Sequence, residues 1–300
     1  MVVHLLLIYD VWHYKGSAFI KTMIQYTTAP LPFAGQKRRW LRQIEPIIRT
    51  LSSTATFVDV FGGSGLVSRL CKDVHPTARV IYNDYDNYSE RLRHIKETEP
   101  LRQEIVSILS SIKRNARVPD EYKTLVLRVI QAHQDRYHYV DWITLSGWLL
   151  FTNKFAYSIA DLEATGLYAH PSRTALSDAD ASERYLCGLE IVSVDYRELL
   201  SAYKDASNTI LILDPPYLST ECGGYRGSSW SCDDYLDLLT SMPTNNYLYF
   251  SSTKLDFVPF LRRTSAAWGY QHPFIDAQVL YRSNPFGSGG ANPEALYYKL

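Results

Sequence analysis

Residues 210–217 read ILILDPPY, and no other stretch constrains the fold as strongly. Four consecutive isoleucines and leucines, apolar at every position, are the pattern of a parallel strand covered on both faces. Two prolines then remove two backbone donors and push the residue before each out of the helical region, so the strand must stop in a stiff, extended corner. In open α/β sheets ligands bind just past the carboxyl ends of such strands. Asp214, the Pro215 carbonyl, Pro216 and the ring of Tyr217 are therefore held in fixed directions at a candidate active site. The plainer alternative is that Pro-Pro ends a strand and Asp214 caps a turn.

A second constellation lies upstream. Residues 56–61 (TFVDVF) read as a strand, GGSG as a tight turn, the following residues to about 74 as a helix, and 79–83 (RVIYN) as the next strand, which makes a βαβ unit. Asp59, Phe61, Gly62, Gly63, Ser64 and Gly65 thus form a strand end and turn where backbone can approach a ligand closely at a helix amino terminus. Asp84 follows the second strand, at the spacing where a carboxylate accepts both hydroxyls of a ribose. Together they call for a nucleoside-containing ligand. Gly63, Gly65 and Ser68 also approximate the dinucleotide fingerprint, so these residues alone leave an NAD-dependent oxidoreductase open.

Helical patterning covers about 88–111 and 121–134, and from 115 to 188 strand periodicity is lost, as expected of an inserted, mainly helical module. Strand signals return at 190–194, 210–213, 247–251, 277–282 and 294–299. The last two are joined by the Gly-rich SNPFGSGGANP and can form a hairpin. A chain of 300 residues suits one domain plus such an insertion. Its formal net charge is zero, so nucleic acid could be held only by local patches such as Lys37, Arg38, Arg39 and Arg42; solvated surface charge is the alternative. The four cysteines form no C-x-x-C pair, which signals neither a zinc site nor a disulfide framework and fits a reduced cytoplasmic setting. The apolar run near the amino terminus lacks a charged region before it and is broken by Asp10, so neither a signal peptide nor a membrane span is expected.

PFAGQK, FGGSG and DPPY, in that order, resemble the three signature motifs of the Dam-type DNA adenine-N6 methyltransferases. The long stretch between Phe61 and Asp214 resembles that family's target-recognition insertion. WLLFTNK resembles its F-x-x-L-N-[RK] element, covering Asn153 and Lys154; SVDYRELL resembles its D-F element, with Tyr196 for phenylalanine; EALYYKL resembles its last strand. Gln36 departs from the second glycine of W-A-G-G-K, and Phe33 takes the place of its tryptophan.

The resemblance implies a Rossmann-like fold: a seven-stranded, mostly parallel sheet with a carboxyl-terminal antiparallel hairpin and an inserted helical target-recognition domain. It implies an amino-terminal extension over 1–29, a catalytic AdoMet-binding domain over 30–114 and 189–300, and the insertion over 115–188. S-adenosyl-L-methionine is the implied cofactor and double-stranded DNA the implied partner; no metal or membrane is implied. Phe33, Ala34, Gly35 and Lys37 would border the cofactor pocket, Asp59 and the Phe61–Gly65 turn would pass under its methionine part, Asp84 would bind its ribose, and Asp195 with Tyr196 its adenine. Asp195 is otherwise a helix N-cap. Asp214 would face both cofactor and base, and Arg38, Arg39, Asn153 and Lys154 would contact DNA. An RNA adenine-N6 or a DNA cytosine-N4 enzyme shares D-P-P-Y chemistry and stays open. A cytosine-C5 enzyme needs a Pro-Cys nucleophile, and no cysteine follows a proline. A bacterial or phage origin fits; the recognition sequence, the oligomeric state and any cognate restriction endonuclease are left open.

Overall fold

The computed structural model describes residues 26–151, 154–169, 176, 182, 184–217, 230–253, 257–286 and 290–300. Its strands are β1 (Thr56–Asp59), β2 (Arg79–Asn83), β3 (Glu190–Val192), β4 (Thr209–Leu213), β5 (Tyr247–Ser252), β6 (Gln278–Phe286) and β7 (Gly290–Lys299). They form one seven-stranded sheet in the order β3-β2-β1-β4-β5-β7-β6. β1 to β5 pair in parallel, and β7 runs antiparallel to both β5 and β6. The chain steps outward from β1 to β3 and then returns to lay β4 on the other side of β1. That reversal opens a crevice past the carboxyl ends of β1 and β4.

β4 is buried at all five positions, as its unbroken apolar run requires. Successive side chains alternate between two cores. Phe57, Val80, Ile210 and Ile212 pack under α1 (Leu41–Arg49) and α2 (Leu66–Val74), while Val58, Ile81, Leu211 and Leu213 pack under α8 (Tyr196–Tyr203) and α9 (Cys232–Ser241). Each such side chain contributes about 1.5–3 kcal/mol of burial. A third cluster joins α4 (Ile95–Ile108), α5 (Asp120–Tyr137), α6 (Trp142–Leu149) and α7 (Ile159–Ala164) through Leu101, Ile105, Val126, Ile130, Leu145 and Leu162. Within 115–188 the described residues hold helices and a single bridge, Arg117 to Tyr168.

Two local expectations change. The helix expected over 88–111 is broken into α3 (Tyr88–Arg93) and α4, because His94 leaves the helical region (φ −97°, ψ 13°). Its ring stacks on Tyr139 at 3.8 Å, a tertiary contact that periodicity does not announce. The Gly-rich connection near the carboxyl terminus is shorter than its composition suggests: pairing continues from Ser283 opposite Pro293 to Phe286 opposite Gly290. The ladder satisfies backbone groups that a loop would leave to water. The remaining helix, α10 (Phe257–Trp268), lies between β5 and β6 in the chain. Among the described residues no helix is long and apolar enough to cross a membrane.

Candidate active site

A cavity of about 230 Å³ opens in that crevice. Its floor is the turn after β1. Gly65 N–H bonds to the Gly62 carbonyl at 2.7 Å, and Gly63 and Gly65 adopt φ of 50° and 69°. A Cβ on Gly62 would meet the Tyr82 ring at 2.3 Å, and one on Gly63 would meet the Phe33 ring at 2.8 Å. Only glycine fits between those rings. Tyr82 Oη donates to the Gly63 carbonyl at 2.7 Å and Tyr185 Oη to the Ser64 carbonyl at 2.9 Å, which fixes the turn from below. Gly62, Gly63 and Ser64 line the cavity, whereas Gly65 starts α2 behind them.

Two carboxylates face this space from neighbouring strands. Asp59 is buried and accepts from Ser68 Oγ at 2.6 Å. Burial pushes its pKa up to about 7; the Ser68 hydrogen bond and Lys37 oppose the rise, and the charge of Asp214 adds to it. Asp214 stands at the end of β4, partly buried, in an ion pair with the buried Lys37. Burial raises its pKa as well, with Lys37 pulling it down. Lys37 Nζ also donates to the Gly35 carbonyl at 2.9 Å and lies 5.3 Å over the Phe250 ring and 5.5 Å over that of Tyr217. Tyr217 Oη donates to Asp214 Oδ1 at 3.3 Å. The ammonium and the phenol therefore address the two oxygens of one carboxylate. Pro216 lines the cavity with Asp214, whereas Pro215 and Tyr217 are not among its lining residues.

The far wall is aromatic. The rings of Phe61, Tyr196 and Trp230 lie 5.1–5.5 Å apart between centroids. Asp195 caps α8 by accepting from Arg197 N–H at 2.9 Å and also lines the cavity. Arg197 bridges to Asp234 at 2.8 Å and Asp237 at 3.1 Å, joining the amino ends of α8 and α9. In all, the walls hold five carboxylates (Asp59, Asp86, Asp195, Asp214, Asp234) against the cations Lys37 and Arg197. Such a surplus suits a ligand that carries positive charge.

Asp84 is placed differently from Asp86. Its Oδ1 accepts from Tyr88 N–H at 2.6 Å and shares the single Tyr82 hydroxyl proton, at 3.1 Å, with the Gly63 carbonyl, while its Oδ2 accepts from Ser89 N–H at 2.9 Å. The carboxylate is thus spent on the amino end of α3 and does not line the cavity; Asn83, Tyr85 and Asp86 do. Asn83 closes the strand ends by donating to the Val60 and Val194 carbonyls at 2.9 and 3.0 Å. Phe33, Ala34, Gly35 and Lys37 line the opposite rim. Arg38 and Arg39 are exposed on the 3-10 turn Lys37–Arg39, and Lys154 is exposed on the helical module; Asn153 lies outside the described residues. Asp86, Arg197 and Trp230 are lining residues that sequence reasoning missed. Trp230 had a signal: it precedes Ser231-x-x-Asp234, a capping box that the structure forms.

A family model described as D12 class N6 adenine-specific DNA methyltransferase matches residues 33–255. A protein of Haemophilus influenzae named "Putative methyltransferase" is 38% identical over 259 residues, covering 83% of this chain and 84% of that protein. Among solved structures, a precorrin 8W decarboxylase of Methanobacterium thermoautotrophicum aligns over 86% of this chain and 89% of its own, at 11% identity and a TM-score of 0.29, too distant to carry an argument.

Proposed function

Because the chain belongs to the D12 class N6 adenine-specific DNA methyltransferase family, we propose that it methylates the N6 amine of an adenine swung out of duplex DNA. The observation that carries this reading is that Asp214 and the glycine turn line one cavity.

The residues present fit S-adenosyl-L-methionine: a turn too tight for any Cβ, a surplus of carboxylates and an aromatic corner able to take a purine. Bound there, the cofactor supplies a methyl group on a positively charged sulfur. Phe33, Ala34, Gly35, Asp59 and the Phe61–Ser64 turn are assigned to its methionine side, and Asp195, Tyr196 and Trp230 to its adenine. Asp86 is assigned to the ribose in preference to Asp84, whose oxygens already have three donors.

The exocyclic amine of adenine is conjugated with its ring and is a poor nucleophile. Asp214 and the Pro215 carbonyl can each accept one of its hydrogens, which bends the nitrogen towards a tetrahedral geometry and frees its lone pair. An ionised carboxylate is the stronger acceptor, and the ion pair with Lys37 opposes the rise in pKa that burial imposes on Asp214. A carboxylate with an ordinary pKa of about 3.9 cannot deprotonate the amine beforehand. Once methylated, however, the nitrogen is cationic, and Asp214 or a water can take its proton. As the base enters, the Tyr217 hydroxyl leaves Asp214 and its ring stacks on the purine. Flipping costs a few kcal/mol and stacking returns about 1–3 kcal/mol. Phosphate contacts from Arg38, Arg39, Asn153 and Lys154 supply the remainder.

The test is incubation with labelled S-adenosyl-L-methionine and unmethylated duplex DNA, single-stranded DNA or RNA, followed by mapping of the modified base. Label on adenine N6 in DNA is the expected result. Label on cytosine, or on RNA alone, overturns the substrate assignment.

A further inference from the structure

Arg91 touches neither the cavity nor the reacting groups, yet its guanidinium ties three parts of the molecule together. It projects from α3, the helix whose amino end Asp84 anchors to β2. The side chain is buried. Its Nε donates to Asp141 Oδ1 at 3.0 Å, and Nη2 donates to the Pro32 carbonyl at 2.8 Å and to Thr144 Oγ1 at 3.2 Å. The three acceptors belong to two parts of the molecule that differ in function. Pro32 precedes Phe33, the cavity wall whose ring presses on Gly63 and meets Tyr88 edge-on at 5.9 Å. Asp141 and Thr144 are the amino-terminal cap of α6, where Asp141 accepts from Thr144 N–H at 3.1 Å and Oγ1 at 2.6 Å. Near the other end of α6, Ser146 Oγ accepts from Ala156 N–H at 2.9 Å and so holds the segment that carries the exposed Phe151, Lys154 and Tyr157.

The buried Arg91 cation cannot part from Asp141 without leaving charge unpaired in a low-dielectric interior, and releasing the Pro32 carbonyl or the Thr144 hydroxyl breaks a charge-assisted hydrogen bond. The Phe33 wall and the helical module are therefore not free to move separately. Any displacement of α6 pulls on the group that holds the Pro32 carbonyl. We propose that Arg91 is a positioning residue that couples the two sites, so that DNA held on the helical module tightens cofactor binding at the Phe33 wall. By linkage, cofactor tightens DNA binding by the same factor. The inference rests on the function proposed above, in which the cavity takes S-adenosyl-L-methionine and the module takes DNA.

The experiment measures, by calorimetry, the affinity of the full chain for S-adenosylhomocysteine with and without saturating sheared, unmethylated duplex DNA. For the wild type, DNA should tighten binding about tenfold. In R91K the charge remains, but a lysine cannot offer a fork to several acceptors at once. T144V removes one hydroxyl and keeps the shape. Both variants should bind S-adenosylhomocysteine alone within about threefold of wild type while the tightening by DNA shrinks towards one. An unchanged ratio in the variants overturns the coupling, as does a wild type that binds the two ligands independently. If R91K does not fold, T144V decides alone. A wild type that takes up no S-adenosylhomocysteine overturns the functional reading itself, and that outcome is distinct because independence can be measured only where both ligands bind.

Discussion

A buried carboxyl keeps its proton unless something charged rewards its loss, and Asp59 has hydrogen bonds from the hydroxyl and backbone of Ser68 rather than a paired cation. Its folded pKa of about 7 lies above the unfolded value of 3.8. Between those values the unfolded chain has already lost a proton that the folded chain still holds, so unfolding releases a proton and stability falls as pH rises; above about 7 the loss is complete. Asp59→Asn removes the titration. Thermal melts across the window from 3.8 to about 7 should therefore show a steeper loss for the wild type than for the variant, and parallel profiles would exclude Asp59 as the cause. Asp214 behaves differently because Lys37 is paired with it. Asp214→Asn still accepts hydrogen bonds but carries no charge and cannot take the final proton. Methyl transfer should drop by about 10²–10⁴-fold, with S-adenosylhomocysteine binding retained in calorimetry. A variant that turns over normally would remove the carboxylate from the mechanism. Both aspartates were visible in the sequence. The Lys37–Asp214 pair was not, since their positions are far apart in the chain and only the placement of the 3-10 turn beside β4 joins them.

At the scale of elements, the glycine turn is under the tightest steric demand. An alanine at position 62 drives a methyl group into the Tyr82 ring and the Asn83 carbonyl, and the ring can yield only by giving up its bond to the Gly63 carbonyl. Gly62→Ala should cost about 1–3 kcal/mol in denaturant unfolding and weaken cofactor binding. Equal stability would mean that the turn is looser than its contacts imply. The amino end of α9 offers a milder case. Ser231 and Asp234 satisfy each other's backbone donors there, and Ser231→Ala should lower stability by about 1 kcal/mol in the same measurement. The strands could be read directly, because an apolar run closed by turn residues is a local property, and the capping box at Ser231 is a local signal of the same kind that was passed over. The break at His94 and the long β6–β7 ladder could not be read in this way. One depends on stacking against Tyr139, the other on two distant stretches finding each other.

For the molecule as a whole, a net charge of zero means that DNA affinity must come from a few cations close to the site rather than from a general field. Arg38 and Arg39 are exposed beside the buried Lys37, and the proposed function assigns them to phosphates. If each makes one phosphate contact, the joint Arg38→Ala and Arg39→Ala variant should flatten the plot of log affinity against log salt by about 0.9 per contact. An unaltered slope would return both to solvated surface charge. Sequence alone was enough for the order of strands and turns, the glycine floor and the rigid acid corner, because each follows from backbone sterics and hydrophobic period within a few residues. Which carboxylate faces the cavity was settled elsewhere: Asp84 and Asp86 are nearly equivalent as text, but the amino end of α3 consumes the first while the second lines the cavity. The same holds for Trp230 on the aromatic wall and for Arg91 beneath the Phe33 wall. A side chain's partners are chosen by whatever folding brings to it, and that is a property of the assembled core rather than of any segment.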